Sequence, residues 1–281
     1  MTEPQYDTIL SLLRCKKNII LQGAPGVGKT FTAKRLAYSI MGERDDSRIR
    51  FVQFHQSYSY EDFIMGYRPN ENGGFELKNG IFYEFCNRAR RDSGRDYFFI
   101  IDEINRGNLS KIFGELLMLI EKDYRGQKAV LSYSGEEFSV PGNLYIIGMM
   151  NTADRSLAMI DYALRRRFGF YTIPPAFENA QENGFDDLMD GTGCELYRNV
   201  VAKIRELNDA IRKDNALGQG FEIGHSYFVP QDFSAIDDAW VRNVVRFEII
   251  PLIEEYWFDD EKKCSHWKEE LCQAIGEKYD V

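Results

Sequence analysis

The sequence predicts an α/β fold, a parallel sheet flanked by helices, followed by a smaller and mostly helical subdomain. Three observations carry that reading. Continuous apolar runs (NIILQ, YFFII, LYIIGMM) alternate with helical stretches, the pattern of strands joined by crossover helices. A complete G-x-x-x-x-G-K-T stands between the first apolar run and the first long helical stretch. Beyond Pro174-Pro175 the strand-like runs stop and helical periodicity takes over, which places the expected boundary between residues 1–177 and 178–281.

Each element follows in order. A short amphipathic helix around Tyr6–Arg14 precedes a buried strand at Asn18–Gln22, and a helix runs from the glycine-rich stretch to about Met41. A strand is expected at Ile49–His55. Tyr67–Gly80 is rich in turn residues and contains the alternating piece FELK, which reads as a hairpin-like insertion before a helix at Ile81–Arg91. Tyr97–Ile101 is a continuous apolar strand that ends in Asp102-Glu103. A helix at Ser110–Glu121 follows, with Ser110 as N-cap, and Lys128–Val140 alternates around Ser134-Gly135 as a second hairpin. Leu144–Met150 is a buried strand stopping at Asn151. Asp161–Arg167 reads as helix and Phe168–Ile173 as the last strand, with later helices at Glu195–Asp214, Asp237–Trp257 and about Ser265–Tyr279.

Composition narrows the function classes. The chain has 281 residues and carries 35 Lys+Arg against 44 Asp+Glu, a formal charge of −9. That balance argues against a protein that coats nucleic acid unaided, because phosphate neutralisation needs a Lys/Arg excess. Five cysteines (Cys15, Cys86, Cys194, Cys264, Cys272) form no CxxC pair, which suits free thiols better than a disulfide framework or a zinc site. The N-terminus has no basic-then-apolar signal and no stretch is apolar enough for a membrane helix, so a cytoplasmic location is expected.

The chemistry lies in four motifs. In Gly23-Ala24-Pro25-Gly26-Val27-Gly28-Lys29-Thr30 the glycines let the backbone wrap a phosphate chain, with the following helix adding the positive end of its dipole. Lys29 then reaches the phosphates, and the Thr30 hydroxyl ligates Mg²⁺. Asp102 and Glu103 end an apolar strand at the sheet edge where open α/β folds bind ligands. Asp102 would hold the hydrated metal and Glu103 would polarise an attacking water. Asn151 either hydrogen-bonds the γ-phosphate and that water or closes an Asx-turn. Arg165-Arg166-Arg167 is either a solvated charge run or the source of an arginine finger acting on a neighbouring subunit.

Together these residues resemble the AAA+ superfamily. The stretches IIDEINRGNLSKIFGELLMLIEKDYRG, MNTADRSLAMIDYALRRRF and IGHSYF (Ile223–Phe228) are similar to the McrB family, the GTP-hydrolysing motors of modified-cytosine restriction systems. The resemblance spans the chain from about Asn18 onward. It implies an AAA+ P-loop core with a helical lid, a homo-hexameric ring, GTP with Mg²⁺ as substrate and metal, and an McrC-like endonuclease subunit as partner. DNA would be reached indirectly, through partners.

By position, the resemblance makes Gly23–Thr30 and Phe31 nucleotide contacts, Thr30 and Asp102 the metal pair, and Glu103 and Asn151 catalytic. It puts Asp154 and Arg155 in a catalytic loop on which the partner acts. It matches Arg166 and Arg167 to inter-subunit arginines without choosing between them, and sets His225 in a lid motif lining the nucleotide or packing the lid. Two departures stand out. McrB proteins usually carry an N-terminal DNA-recognition domain, whereas here the P-loop follows only 22 residues, so a motor without a reader is expected. The N-K-x-D motif of small G-proteins is absent, so guanine preference rests on the resemblance. The alternative is a MoxR-like, ATP-dependent protein remodeller.

Overall fold

A computed structural model describes residues 1–154 and 162–278. The chain divides into two compact units. One holds Glu3–Gln22 and Lys29–Thr172; the other holds Met1–Thr2, Gly23–Gly28 and the chain from Ile173 onward. The glycine-rich stretch thus belongs with the helical unit, though its two flanks belong with the sheet.

The first unit opens with α1 (Glu3–Lys16), β1 (Asn18–Gly23), α2 (Lys29–Met41) and β2 (Ile49–Gln53). Helix α3 (Tyr60–Phe63) leads into an antiparallel hairpin of β3 (Met65–Pro69) and β4 (Phe75–Asn79), then α4 (Ile81–Arg91). After β5 (Tyr97–Asp102) come α5 (Leu109–Phe113), α6 (Leu116–Leu119) and a second hairpin of β6 (Lys128–Val130) and β7 (Glu137–Ser139). Strand β8 (Leu144–Asn151), α7 (Tyr162–Arg165) and β9 (Gly169–Thr172) complete the unit. The five-stranded sheet has the order β2-β5-β8-β1-β9, with parallel registers such as Phe99↔Ile146 and Ile20↔Phe170. Both hairpins and the sheet agree with the sequence reading.

Central strands β1, β5 and β8 are buried almost throughout, which explains their unbroken apolar runs rather than alternation. One side of the sheet is filled by an aromatic cluster. Phe63 stacks on Phe82 at 4.7 Å and meets Phe113 edge-on at 4.8 Å, while Phe82 meets Phe99 at 5.1 Å.

Two sequence expectations are corrected here. The expected Ser110–Glu121 helix is broken, and its cap is Asn108, whose Oδ1 accepts from the Lys111 amide at 3.0 Å. Helix α5 stops at Gly114, where φ is +51° and an added Cβ would lie 2.9 Å from the Tyr60 ring. Tyr60 donates to Glu115 Oε1 at 2.7 Å, and the Ser132 amide donates to the same oxygen at 2.9 Å, so packing against α3 overrides helix propensity. The last helix starts earlier than Ser265, because Asp260 caps it through the Lys263 amide at 3.1 Å.

In the second unit, α8 (Ala180–Asn183) and α9 (Phe185–Thr192) precede the long α10 (Glu195–Lys213). One face of α10 buries Tyr197, Val200, Val201, Ile204, Leu207 and Ile211 at helical spacing. The expected Asp237–Trp257 helix appears as α11 (Asp238–Val244) and α12 (Ile250–Tyr256), joined by a π-helical turn at Val245–Ile249. Pro251 explains the widened turn, since its ring has no N–H and crowds the carbonyl one turn back. Helix α13 (Glu261–Ala274) closes the unit. All five cysteines are free, and no helix among the described residues is long and apolar enough to cross a membrane.

A buried polar knot ties β1 to its surroundings. Asn18 Nδ2 donates to the carbonyls of Ile120 and Arg167 at 2.7 and 3.1 Å, and its Oδ1 accepts from Arg125 Nη2 at 2.7 Å. Burial pushes the Arg125 guanidinium down to about 10, so the loss of an acceptor there is costly. Asn18→Ala is expected to destabilise this unit by about 2–4 kcal/mol. Thermal unfolding tests this; a midpoint within about 1 °C of the parent chain would contradict it.

Candidate nucleotide site

Parallel strands end on the same edge, so β1, β5 and β8 deliver the entry to the glycine-rich loop, Asp102 with Glu103, and Asn151 to one side of the sheet. Glu103 sits just past β5 with φ +48°, a left-handed conformation that costs a non-glycine residue about 1 kcal/mol or more. Its side chain is only 13% exposed. Asn151 Nδ2 donates to Glu103 Oε1 at 2.7 Å, and Arg106 Nε stands 3.2 Å from Oε2. Arg106 also donates through Nη2 to Asp154 Oδ2 at 2.9 Å. Asn151 is thus engaged with the acid through its Nδ2.

Arg106 was not singled out from sequence. Its spacing from Glu103, on the 3₁₀ turn Ile104–Arg106, was the available signal. In the same unit, burial pushes the Lys29 ammonium down to about 8 against the pull of Glu103, Asp102 and Asp154. A partly desolvated cation facing three carboxylates suits a ligand that brings its own negative charge. Thr30 is exposed in the first turn of α2. Phe31 is also exposed on α2, with the Arg35 guanidinium 4.8 Å over its ring.

The loop itself is seated within the helical unit. Gly26 has φ +78° and Gly28 has φ +76°, backbone states that allow successive amides to turn inward. The Ser226 amide donates to the Gly26 carbonyl at 2.9 Å. A Cβ at Gly224 would lie 2.2 Å from Gly26 C and 2.4 Å from the carbonyl oxygens of Pro25 and Gly26, so only glycine fits there. Gly224 is a further residue that sequence reasoning missed, although it sits inside the quoted IGHSYF.

His225 follows, and a Cβ at Gly28 would be 3.6 Å from its Nε2. The Ala176 amide donates to His225 Nδ1 at 3.1 Å, which leaves the proton on Nε2, the atom facing the loop. Burial, and then the N-terminal amine, push this imidazole down to about 4, so it is neutral at ordinary pH.

The two candidate arginines part company. Arg167 Nε lies 2.9 Å from Glu121 Oε1 with its side chain 10% exposed, whereas Arg166 is 70% exposed and only 3.7 Å from the same oxygen. Arg167 is committed within its own chain; Arg166 is the one presented outward. Arg155 lies outside the described residues.

No group of three or more His, Cys, Asp or Glu side chains among the described residues could hold a metal by itself. The Thr30 hydroxyl and Asp102 carboxylate are hard oxygen donors of the kind Mg²⁺ takes, and that ion keeps waters and phosphate oxygens for its remaining positions. With the desolvated Lys29 in the same unit, these oxygen donors fit a magnesium ion that arrives with an anionic ligand.

Fold and site together define a P-loop nucleotide-binding protein. Residues 18–168 match the AAA domain of the dynein-related subfamily, and residues 199–265 match the McrB alpha-helical lid domain. The chain belongs to the AAA family, dynein-related subfamily, in the branch that carries the McrB lid. It is 53% identical over 277 residues to the Type IV methyl-directed restriction enzyme EcoKMcrB subunit of Escherichia coli K12, covering 96% of this chain and 60% of that protein. It is 26% identical over 327 residues to the Type II restriction enzyme BsuMI component YdiS of Bacillus subtilis 168, covering 99% and 89%. The chain thus spans 60% of the length of the E. coli relative.

Gly224→Ala is expected to weaken nucleotide binding at least tenfold by displacing the Pro25-Gly26 backbone, with the sheet unit intact. Titration calorimetry and circular dichroism read the two effects. Unchanged affinity would show that the loop does not depend on this seat.

Proposed function

We propose that the chain is the motor of a restriction system: a Mg²⁺-dependent nucleoside triphosphatase that prefers GTP, works as a homo-hexameric ring and drives DNA translocation for an McrC-like endonuclease subunit. The observation that carries hydrolysis is the Glu103 carboxylate, held in a strained backbone state and oriented by Asn151. That geometry leaves a carboxylate able to take a proton from an attacking water, with Asn151 able to hold the water and the transferred phosphoryl oxygens. The 53% identity to the McrB subunit supports the restriction-system context, and the guanine preference rests on the family resemblance alone.

Roles follow from position. Lys29 would neutralise charge on the phosphates, and Thr30 with Asp102 would hold Mg²⁺, which supplies charge neutralisation between the phosphates when bound. Arg106 links Glu103 to Asp154, so movement of Asp154 by a partner would reach the catalytic acid through one guanidinium. Arg166 would reach across to a neighbouring subunit, stabilising charge that develops on its γ-phosphate.

Glu103→Gln is expected to keep nucleotide affinity within about threefold while phosphate release falls about 100-fold or more. Full turnover in that variant would sink the role. Arg166→Ala should lose turnover in the assembled protein without a change in melting temperature, whereas Arg167→Ala should melt lower because Glu121 loses its close partner. The reverse pattern would exchange the two assignments. Competition between GTP and ATP tests the substrate; ATP displacing GTP at equal concentration would favour the protein-remodeller alternative.

A further inference from the structure

Helix α2 has a solvent face unlike the rest of this acidic chain. Its 13 residues include Lys29, Lys34 and Arg35 and no acid. Thr32, Ala33, Leu36 and Ala37 pack inward. Phe31, Lys34, Arg35 and Tyr38 follow one another at the i, i+3, i+4 and i+7 positions of the opposite face. The stripe runs about 10 Å along the helix axis.

Rings and cations are interleaved along it. The Arg35 guanidinium stands over Phe31, and the Lys34 ammonium lies 5.8 Å over the ring of Phe51 on the edge strand β2. Arg44, just past the helix, lies 5.9 Å over the Tyr38 ring. Phe31 is 65% exposed and Phe51 39% exposed, so both rings are left in water. Lys34, Arg35 and Arg44 form no ion pair among the described residues. The acids of the adjoining turn are occupied. Glu43 and Asp45 pair with Arg48, and Asp46 accepts from the Tyr38 hydroxyl. The face therefore carries positive charge that its own surroundings leave uncompensated.

A run of cations alone is the usual solvated side of a helix. Exposed rings set between unpaired cations are not, because burying those rings against an apolar protein would desolvate the charges beside them. A single strand of nucleic acid satisfies both groups at once. Its bases stack on aromatic rings and guanidinium planes, and the phosphates between them meet the cations. A duplex keeps its base faces inside the helix and offers the same surface its phosphates alone.

We propose that this face of α2 and β2 binds single-stranded nucleic acid, with Phe31 and Phe51 stacking on bases and Lys34, Arg35 and Arg44 on the phosphates. The contact is direct, unlike the route through partners that the family resemblance implies, and it is separate from the glycine-rich loop. The stripe holds no carboxamide or carboxylate to read a base edge, so binding tolerates any sequence.

The test is fluorescence anisotropy of a labelled oligothymidine of about 20 nucleotides with the full chain. Excess Mg²⁺ and GDP keep its phosphates out of the glycine-rich loop. Binding should weaken with salt, with a slope of log K against log[salt] of about −2 for three cations on a single strand. Phe51→Ala should weaken binding about fivefold or more and leave the slope unchanged. The double variant Lys34→Gln, Arg35→Gln should flatten the slope to about −0.7. Circular dichroism checks that each variant keeps its fold, and either variant alone decides the matter. A parent chain that leaves the oligonucleotide free at low salt would overturn the proposal, as would affinity and slope unchanged in the variants. A duplex bound as tightly as the single strand would reduce the contact to charge alone and overturn it. Polyglutamate displacing the oligonucleotide charge for charge would give the face to an acidic protein and overturn it too.

Discussion

One backbone hydrogen bond organises the site: the Ser226 amide donating to the Gly26 carbonyl, under a glycine that has no side chain to keep the strands of backbone apart. A phosphate loop works only if its amides are already turned inward when the anion arrives, since ordering a flexible loop would cost about 1–2 kcal/mol per residue. Here that order comes from a segment some two hundred residues downstream. The helical unit is thus part of the binding loop, and a signal that moves Gly224–Ser226 must move the loop too.

At the sheet edge the same economy of parts recurs. Glu103 takes an unfavourable backbone state while Asn151 hydrogen-bonds one of its oxygens and Arg106 forms an ion pair with the other. Strain of this kind persists only where surrounding contacts over-determine it, and it accompanies groups whose orientation matters. Arg106 extends the arrangement to Asp154, one of the two residues that the family resemblance assigns to partner contact. Under the proposed function, a partner that moved Asp154 would act on Glu103 without touching the nucleotide.

Much of this was legible in the sequence, for identifiable reasons. The G-x-x-x-x-G-K-T run, the YFFIID strand and the end of β8 at Asn151 are local patterns whose chemistry and geometry coincide. The bounds of α4, Ile81–Arg91, also follow from a local pattern. What escaped depends on contacts between distant residues. The break at Gly114 is caused by the Tyr60 ring, and the widened turn before Pro251 replaces an expected straight helix. Arg166 and Arg167 are adjacent and chemically identical, so only burial against Glu121 separates them. Gly224 carried a visible motif but no visible reason, because its reason is the backbone of Pro25-Gly26. The formal charge of −9 bounded the direct partners and said nothing about these contacts.

Hydrogen–deuterium exchange resolved to single amides, on the full chain with and without Mg²⁺ and GDP, tests the seated loop most directly. The Ser226 amide should already be protected without nucleotide, and nucleotide should slow its exchange in step with the amides of Gly23–Gly28. An unprotected Ser226 amide, or protection of the loop that leaves Ser226 unchanged, would contradict the account.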